Sequence, residues 1–124
     1  MSNIIEAKDP RGIKISCSKS QWENHIAADT GHPVMAAESN IRAIIETIEA
    51  PDYIYESHDS VPSLDYREVF SKKADCATYY STMPYTKVVV NIVGGSGEII
   101  TAYPAKNPTG GTRGDAIYCA ADEG

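Results

Sequence analysis

The chain has 124 residues, with 17 acidic and 11 basic side chains and a formal net charge of −6. Its 42% hydrophobic and 23% charged residues exclude a disordered segment, a collagen-like chain and a membrane protein. The acidic balance argues against tight, non-specific binding to nucleic acid, since affinity for phosphate comes from lysine and arginine. The length fits a single domain, and we predict a core over about residues 13–106 and a flexible tail over 107–124.

We predict no targeting segment. Its first ten residues contain no apolar run, and the longest apolar run, over 88–93, is too short to span a bilayer. The three cysteines, Cys17, Cys76 and Cys119, are odd in number and widely spaced. We therefore predict free thiols in a cytoplasmic protein, without a disulfide framework or zinc site. One pair could still join if the protein leaves the cell by an unusual route.

Helical patterns dominate the first half of the chain. Residues 13–17 alternate as a short strand does, and Ser20 with Glu23 forms a capping-box pattern that opens a helix over 21–29. His32 and Pro33 begin a second helix, because proline suits the first helical position, and Pro51 ends it. The spacing of its apolar residues predicts one buried face. That stripe comprises Val34, Ala37, Ile41, Ile44, Ile45 and Ile48.

After residue 51 the apolar period changes from that of a helix to that of a strand. We predict strands over 53–57, 66–72, 87–93 and 98–103, and a weaker strand over 77–82. The glycine-rich segment 94–97 predicts a tight hairpin. On the strand that follows, Ile99, Thr101 and Tyr103 are predicted to share one side. Helices followed by strands with short turns predict an α+β fold, in which the second helix covers one face of an antiparallel sheet.

Candidate catalytic groups lie where the two predicted helices meet. His25 is one turn from Trp22, and His32 begins the second helix, where the helix dipole favours a neutral imidazole. Two such histidines could act as a base and an acid near neutral pH. The alternatives are that His25 is a packed core residue and that His32 is only a helix cap. Adding His58 produces no recognised ligand spacing, so we predict no metal site.

Polar side chains on the predicted strands could line a groove and donate hydrogen bonds to a phosphate. Each of them is more often an ordinary, solvent-facing strand residue. The residues concerned are Ser57, Lys72, Lys87, Thr101 and Tyr103.

Several short motifs follow one another in a recognisable order. They are W-E-N-H-I at 22–26, H-P at 32–33, A-P-D-Y-I at 50–54, K-V-V-V at 87–90 and I-T-A-Y at 100–103. Their order and spacing, over residues 13–106, resemble the phage-associated branch of the barnase–EndoU–colicin–RelE-like (BECR) nucleases. The resemblance implies two N-terminal helices packed on a four-stranded antiparallel β-sheet, without a cofactor. The sequence departs from the family pattern at Phe70, where a tyrosine is expected, and in an insertion-like stretch over 74–86.

The resemblance also implies metal-independent cleavage of RNA, in which the ribose 2′-hydroxyl attacks the adjacent phosphate to leave a cyclic phosphate. On that basis the expected catalytic residues are His25, His32 and Thr101, and the expected substrate-binding residues are Ser57, Lys72, Lys87 and Tyr103. The expected partners are RNA, with tRNA as one candidate, and an inhibitor or immunity protein. The protein would act in the cytoplasm or be delivered by a phage or toxin system.

The alternative is a catalytically inactive, acidic binding or immunity-type protein of the same fold. The net charge of −6 does not decide between the two, because the charge of a whole chain is not the charge of its site. A nuclease should combine an acidic body with a small basic groove. An evenly negative surface would favour the binding protein.

Overall fold

Within the residues that the structure describes, seven strands form one mixed sheet. The computed structural model describes residues 3–21, 38–58, 60–61, 64–73, 85–107 and 109–120. In chain order the strands are β1 (Asn3–Lys8), β2 (Lys14–Ser18), β3 (Tyr53–Ser57), β4 (Arg67–Lys73), β5 (Tyr85–Val93), β6 (Ser96–Ala105) and β7 (Thr112–Cys119), and the helices are α1 (Lys19–Gln21) and α2 (Glu38–Glu49). Across this sheet the order is β1-β2-β6-β5-β4-β3-β7. Strands β2 and β6 run parallel, and the other neighbouring strands run antiparallel.

The prediction of two helices on a four-stranded antiparallel sheet is wrong, because the sheet is larger and mixed. Strand β1 precedes the predicted core and pairs with β2, and β7 lies in the predicted tail and pairs with β3. Strand β1 pairs with one edge of β2, and β6 pairs with the other edge in the parallel direction. Beyond Gln21, the first predicted helix lies outside the described residues, and so does the weaker strand predicted over 77–82.

Helix α2 confirms the buried face of the second predicted helix over residues 41–48, whereas its predicted start at His32 and Pro33 and the stripe residues Val34 and Ala37 lie outside the described residues. Ile44 and Ile48 are fully buried, and Ile41 and Ile45 pack against the same core. Full burial of such a side chain contributes about 1.5–3 kcal/mol, so the stripe fixes the helix on the sheet. The helix ends at Glu49, just before the proline that cannot continue it. Among the described helices, none has the length and apolar character needed to cross a bilayer.

The hairpin between β5 and β6 confirms the predicted glycine turn and corrects the predicted faces of β6. Gly94 and Gly95 have φ values of 60° and 83°, which a two-residue hairpin turn requires. A bulge opposite Val89 and Val90 then shifts the register. Ile99 consequently joins the core, opposite Val90, whereas Thr101 and Tyr103 lie on the other face. The predicted single side for Ile99, Thr101 and Tyr103 is therefore wrong.

The two faces of the sheet differ in chemistry. One face packs against α2 and carries the apolar row Ile54, Phe70, Val88 and Ala102. We call the opposite face the distal face; it carries the alternate side chains of each strand. Strand register aligns these side chains in three rows: Tyr53–Ser71–Lys87–Tyr103, Tyr55–Val69–Val89–Thr101 and Arg67–Asn91–Glu98–Ser16.

Candidate functional site

Lys87 lies at the centre of the first distal row and is buried. It stands between Ser71 and Tyr103 and is 1% exposed. Its Nζ donates a hydrogen bond to the carbonyl oxygen of Gly110, and no carboxylate in the described part of the chain forms an ion pair with it. Burial lowers the pKa of Lys87, because loss of water disfavours the ammonium form. Buried charges are usually paired with an opposite charge, so this lysine is energetically costly to the fold.

The turn between β6 and β7 holds the Gly110 carbonyl against Lys87. Asn107 organises this turn: its Oδ1 accepts hydrogen bonds from the backbone nitrogens of Thr109, at 3.2 Å, and Gly110, at 2.9 Å. Gly111 follows with a φ of 77°, a left-handed conformation that favours glycine. The shape of the turn is therefore set by its own hydrogen bonds and by a residue without a side chain.

His58 and Tyr103 reach the same turn. The Nδ1 atom of His58 lies 2.8 Å from the carbonyl oxygen of Gly111, which also accepts a hydrogen bond from the His58 backbone nitrogen at 2.9 Å. Because a carbonyl can only accept, Nδ1 carries the proton, and Nε2 is the basic nitrogen of the neutral ring. A Cβ on Gly111 would lie 3.5 Å from His58 Nδ1 and 3.8 Å from the Tyr103 hydroxyl oxygen. Both side chains therefore lie beside Gly111, the residue after Gly110, whose carbonyl accepts the hydrogen bond from Lys87.

Lys87, Tyr103 and the turn border a cavity of about 220 Å³, which we call the Lys87 cleft, and His58 contacts the turn beside it. Among the described residues, its lining contains two ammonium groups and no carboxylate, although the chain as a whole has a net charge of −6. Locally positive clefts of this kind concentrate anions. The lining residues are Lys87, Tyr103, Ala105, Lys106, Asn107, Gly110 and Gly111. The chemistry of this lining suits an anion such as a phosphate.

The structure brings four of the sequence-predicted site residues to the distal face. Lys87 and Tyr103 line the cleft itself. Thr101 lies in the neighbouring row and is half-buried. Ser57 is buried at the end of β3, directly before His58. These polar positions are interrupted by Val69 and Val89, which are buried in the middle row of the same face.

The remaining predicted site residues are not in the cleft or lie outside the described residues. Lys72 lies on the opposite face, where its Nζ donates a hydrogen bond of 2.8 Å to the carbonyl of Ala50 at the end of α2. A lysine there satisfies a helix-terminal carbonyl and complements the helix dipole. His25 and His32, the predicted acid and base, lie outside the described residues.

Sequence reasoning missed three residues of this site. The sequence pattern presents His58 only as a weak candidate metal ligand, and Lys106 and Asn107 lie at the border between the predicted core and the predicted tail. The available signal was the pattern N-P-T-G-G at 107–111, in which an asparagine precedes two glycines and predicts a structured turn. The chain-distant contact of this turn with His58 has no signal in a single sequence.

A second polar cluster lies on the face that packs against α2. Arg11 donates hydrogen bonds to Glu68, at 2.6 Å and 3.2 Å, and to Asp9 Oδ2, at 2.8 Å. Tyr66 donates to the same Glu68 carboxylate at 2.7 Å. Burial, followed by this hydrogen bond, raises the pKa of Tyr66. Because each charged member has an internal partner, the cluster serves to connect strands rather than to bind a ligand.

The described cysteines and acidic residues form no evident metal site. Over the described ranges, no three histidine, cysteine or acidic side chains are grouped so that they could hold a metal ion. Cys17 is fully buried, and burial, with a smaller effect of the Glu98 charge, raises the pKa of its thiol to about 11. Cys17 is therefore a poor nucleophile. Cys119 is half-buried, and both are free thiols.

Comparisons with known proteins leave the family of this chain open. No protein-family model, no curated protein and no solved structure matches it.

Proposed function

We propose that the protein is a metal-independent endoribonuclease of the phage or toxin type, and that the Lys87 cleft binds the phosphate that is cleaved. The observation that supports this most strongly is the charge of the cleft, which contains Lys87 and Lys106 in an otherwise acidic chain. Beside Lys87, the hydroxyl of Ser71 is buried with no hydrogen-bond partner among the described residues. A phosphate oxygen that reached this row would supply the anion that the buried ammonium lacks.

The proposed reaction needs neither a metal nor a cofactor. The ribose 2′-hydroxyl oxygen attacks the adjacent phosphorus, and the bond from phosphorus to the 5′-oxygen of the next nucleotide breaks. The products are a 2′,3′-cyclic phosphate and a free 5′-hydroxyl. Lys87 stabilises the negative charge that builds on the phosphorane, which is the largest single contribution available to such a site. The Gly110 carbonyl gives way to a phosphate oxygen, because an anion is the stronger acceptor for an ammonium group.

His58 and Tyr103 supply the neighbouring proton chemistry in this proposal. Nε2 of His58 accepts the proton of the 2′-hydroxyl, since Nδ1 is engaged with the Gly111 carbonyl. The Tyr103 hydroxyl donates a hydrogen bond to a non-bridging phosphate oxygen. The leaving 5′-oxygen takes its proton from a second acid, for which the resemblance offers His25 and His32. Thr101, one row along the same face, contacts the neighbouring nucleotide.

The proposed substrate is RNA, with tRNA as one candidate, and an inhibitor or immunity protein would be the natural regulator of such an activity. The enzyme would act in the cytoplasm, either of the producing cell or of a cell that receives it from a phage or toxin system. An acidic protein with a small positive cleft should be selective and bind bulk RNA weakly.

The test is incubation of the purified protein with total RNA in excess EDTA, followed by analysis of the new ends. We expect fragments that carry 2′,3′-cyclic phosphates and 5′-hydroxyls. Lys87→Met should lower kcat/KM by about 100-fold or more, the usual cost of removing a group that stabilises the transition-state charge. Lys8→Met is the matched control, because it removes an equal charge from an exposed position of β1.

Two outcomes contradict the proposal. Absence of cleavage by the wild-type protein favours the alternative, an inactive acidic binding or immunity-type protein. Cleavage that is equally fast in Lys87→Met and in the Lys8→Met control removes the Lys87 cleft from the reaction.

A further inference from the structure

The turn between β6 and β7 covers the amine of Lys87 on the distal face. Three strands separate β6 from β7 in the sheet, so the turn that joins them spans the width of these strands. It passes over Lys87, whose Nζ donates to the Gly110 carbonyl, and a Cβ on Gly110 would lie 3.3 Å from that nitrogen. The amine is therefore enclosed, but Lys87 also lines the cleft, so a small molecule in the cleft can reach it.

The ammonium form of Lys87 is poorly accommodated at this position. No carboxylate of the described residues pairs with it, and its hydrogen bond to Gly110 engages a neutral carbonyl. Burial lowers the pKa of Lys87, so a larger fraction of this amine is neutral than of an exposed lysine. A neutral amine has a free electron pair and acts as a nucleophile, which an ammonium group does not.

A buried hydroxyl that lacks a partner lies in the same row as this amine. Ser71 is directly opposite Lys87 in the register of β4 and β5, and it is fully buried. The Cβ atoms of such a pair lie about 4.5–5.5 Å apart. Its Oγ has no hydrogen-bond partner among the described residues. A buried hydroxyl without a partner costs free energy, so a nearby group that accepts its proton would be stabilised.

The size and the polar groups of the cleft favour carbon dioxide as the reagent for this amine. Lys87 is 1% exposed under the turn, so only a small reagent approaches its nitrogen. Carbon dioxide is small and uncharged, its carbon is electrophilic, and it reacts with the neutral form of an amine. The product, a carbamate, keeps one N–H and gains two anionic oxygens. The N–H can still donate to the Gly110 carbonyl, and an oxygen can accept from the Ser71 hydroxyl.

We propose that Lys87 is a site of reversible carbamylation by carbon dioxide. The electron pair of Nζ forms a bond to the carbon, one C–O double bond becomes a single bond to an anionic oxygen, and a proton passes from Nζ to water. No oxidant, reductant or further reactant takes part. Lys106, which lines the same cleft, supplies a positive charge opposite the new negative one.

This inference goes beyond the proposed ribonuclease function and does not depend on it. The modification replaces the positive charge of Lys87 with a negative one. A carbamate repels phosphate, so the cleft holds one or the other.

The test detects the carbamate in the full chain without RNA. The protein is equilibrated with ¹³C-labelled bicarbonate at pH 8, the carbamate is trapped as its ethyl ester with a triethyloxonium salt, and peptide mass spectrometry locates the label. We expect Lys87 to carry about tenfold or more label than Lys8, an exposed lysine, because one pKa unit changes the neutral fraction of an amine tenfold. Unfolding in urea before labelling should remove this difference.

A second comparison tests the hydroxyl that faces Lys87. Ser71→Ala should lower the label at Lys87 about tenfold, since the carbamate loses a hydrogen bond to a charged group. Ser96→Ala, at an exposed position, is the matched control and should leave the label unchanged.

The outcomes separate this inference from the proposed function. Equal label at Lys87 and Lys8 in the folded protein overturns carbamylation and leaves the nuclease proposal standing. A preference for Lys87 that persists in urea also overturns it, because the preference would then not come from the fold. Label unchanged in Ser71→Ala overturns the part assigned to Ser71. Preferential label at Lys87 in the folded chain supports the inference even if no RNA is cleaved.

Discussion

Arg11 donates two hydrogen bonds to the carboxylate of Glu68, a residue that follows it by 57 positions. The Arg11 side chain is 29% exposed and that of Glu68 is 3% exposed. The guanidinium also lies 5.8 Å from the ring centroid of Phe70, over the face of the ring. This one side chain therefore ties the turn between β1 and β2 to the middle of the sheet.

Loss of the Glu68 charge should destabilise the fold. Glu68→Gln leaves Arg11 and Asp9 as a pair and removes the bidentate contact, so we expect the free energy of unfolding to fall by about 2–3 kcal/mol, less than for a fully buried pair because Arg11 meets solvent. Urea denaturation measures the change. Glu49→Gln, at an exposed helical position, should change stability by less than about 0.5 kcal/mol. Equal effects of the two substitutions would show that the pair is unimportant.

The lowered pKa of Lys87 predicts how stability depends on pH. The folded state disfavours the ammonium form, so between its folded pKa and the ordinary value of 10.5 the unfolded chain binds more protons at this site. The Lys87 contribution to stability therefore becomes more favourable as pH rises toward 10.5. The Lys87→Met variant lacks this pH-dependent contribution to stability. We expect the unfolding free energy of the wild type, relative to Lys87→Met, to increase from pH 8 to pH 10.5, and a constant difference contradicts the assignment.

His58 should act in the proposed chemistry and contribute little to folding. His58→Ala removes the proposed general base, and we expect kcat to fall by about 10²–10⁴-fold. The residue is exposed, so the free energy of unfolding should change by less than about 1 kcal/mol. Initial rates on a defined RNA and a parallel urea titration measure the two quantities. A large loss of stability with unchanged rates would make His58 a structural residue.

Gly111 and Gly114 form a matched pair for testing the turn. They have φ values of 77° and 72°, so alanine at either position should cost about 1–2 kcal/mol of stability. Only at Gly111 would the new methyl group contact His58 and Tyr103, because nothing lies within 4 Å of a Cβ at Gly114. We expect both variants to be destabilised and only Gly111→Ala to lose RNA cleavage. Equal activity of the two variants would separate the turn from the reaction.

Cys17 should be unreactive in the native protein. With its pKa raised from 9.0 to about 11, the thiol has about a hundredfold less thiolate at pH 8 than an ordinary cysteine. Iodoacetamide labelling at pH 8, mapped by peptide mass spectrometry, should modify Cys119 well before Cys17, and 6 M urea should make the two rates similar, a concentration of about the order that unfolds small domains. Native labelling of Cys17 at the rate of Cys119 would contradict the buried position.

Local patterns predicted those elements whose signal is contained in their own residues. The period of the α2 isoleucines, the alternation in Tyr53–Ser57 and the glycine turn at 94–97 are all short-range features, and the structure confirms them. Strand β7 was missed because Gly114 and a polar composition resemble a loop, and its strand conformation depends on pairing with β3. The parallel pairing of β2 with β6 joins residues that are some eighty positions apart, for which one sequence holds no pattern.

In the candidate site, too, short-range features were predictable from the sequence and long-range contacts were not. Strand alternation put Lys87, Thr101 and Tyr103 on one surface, but the bulge that turns Ile99 to the other face has no sequence signature. The contact between His58 and Gly111 could not be predicted, because 53 positions separate the two residues and only the assembled sheet brings them together.

The turn at 106–111 also carries a consequence for the order of events during synthesis. Strand β7 follows the other described strands in the chain, and it pairs with β3, which is made much earlier. Until β7 docks, neither the Gly110 carbonyl nor the Gly111 carbonyl is held at Lys87 and His58. The cleft is therefore completed only after β7 has been synthesised and has docked on β3, so a nascent chain that has not reached β7 lacks the arrangement to which the proposed activity is assigned.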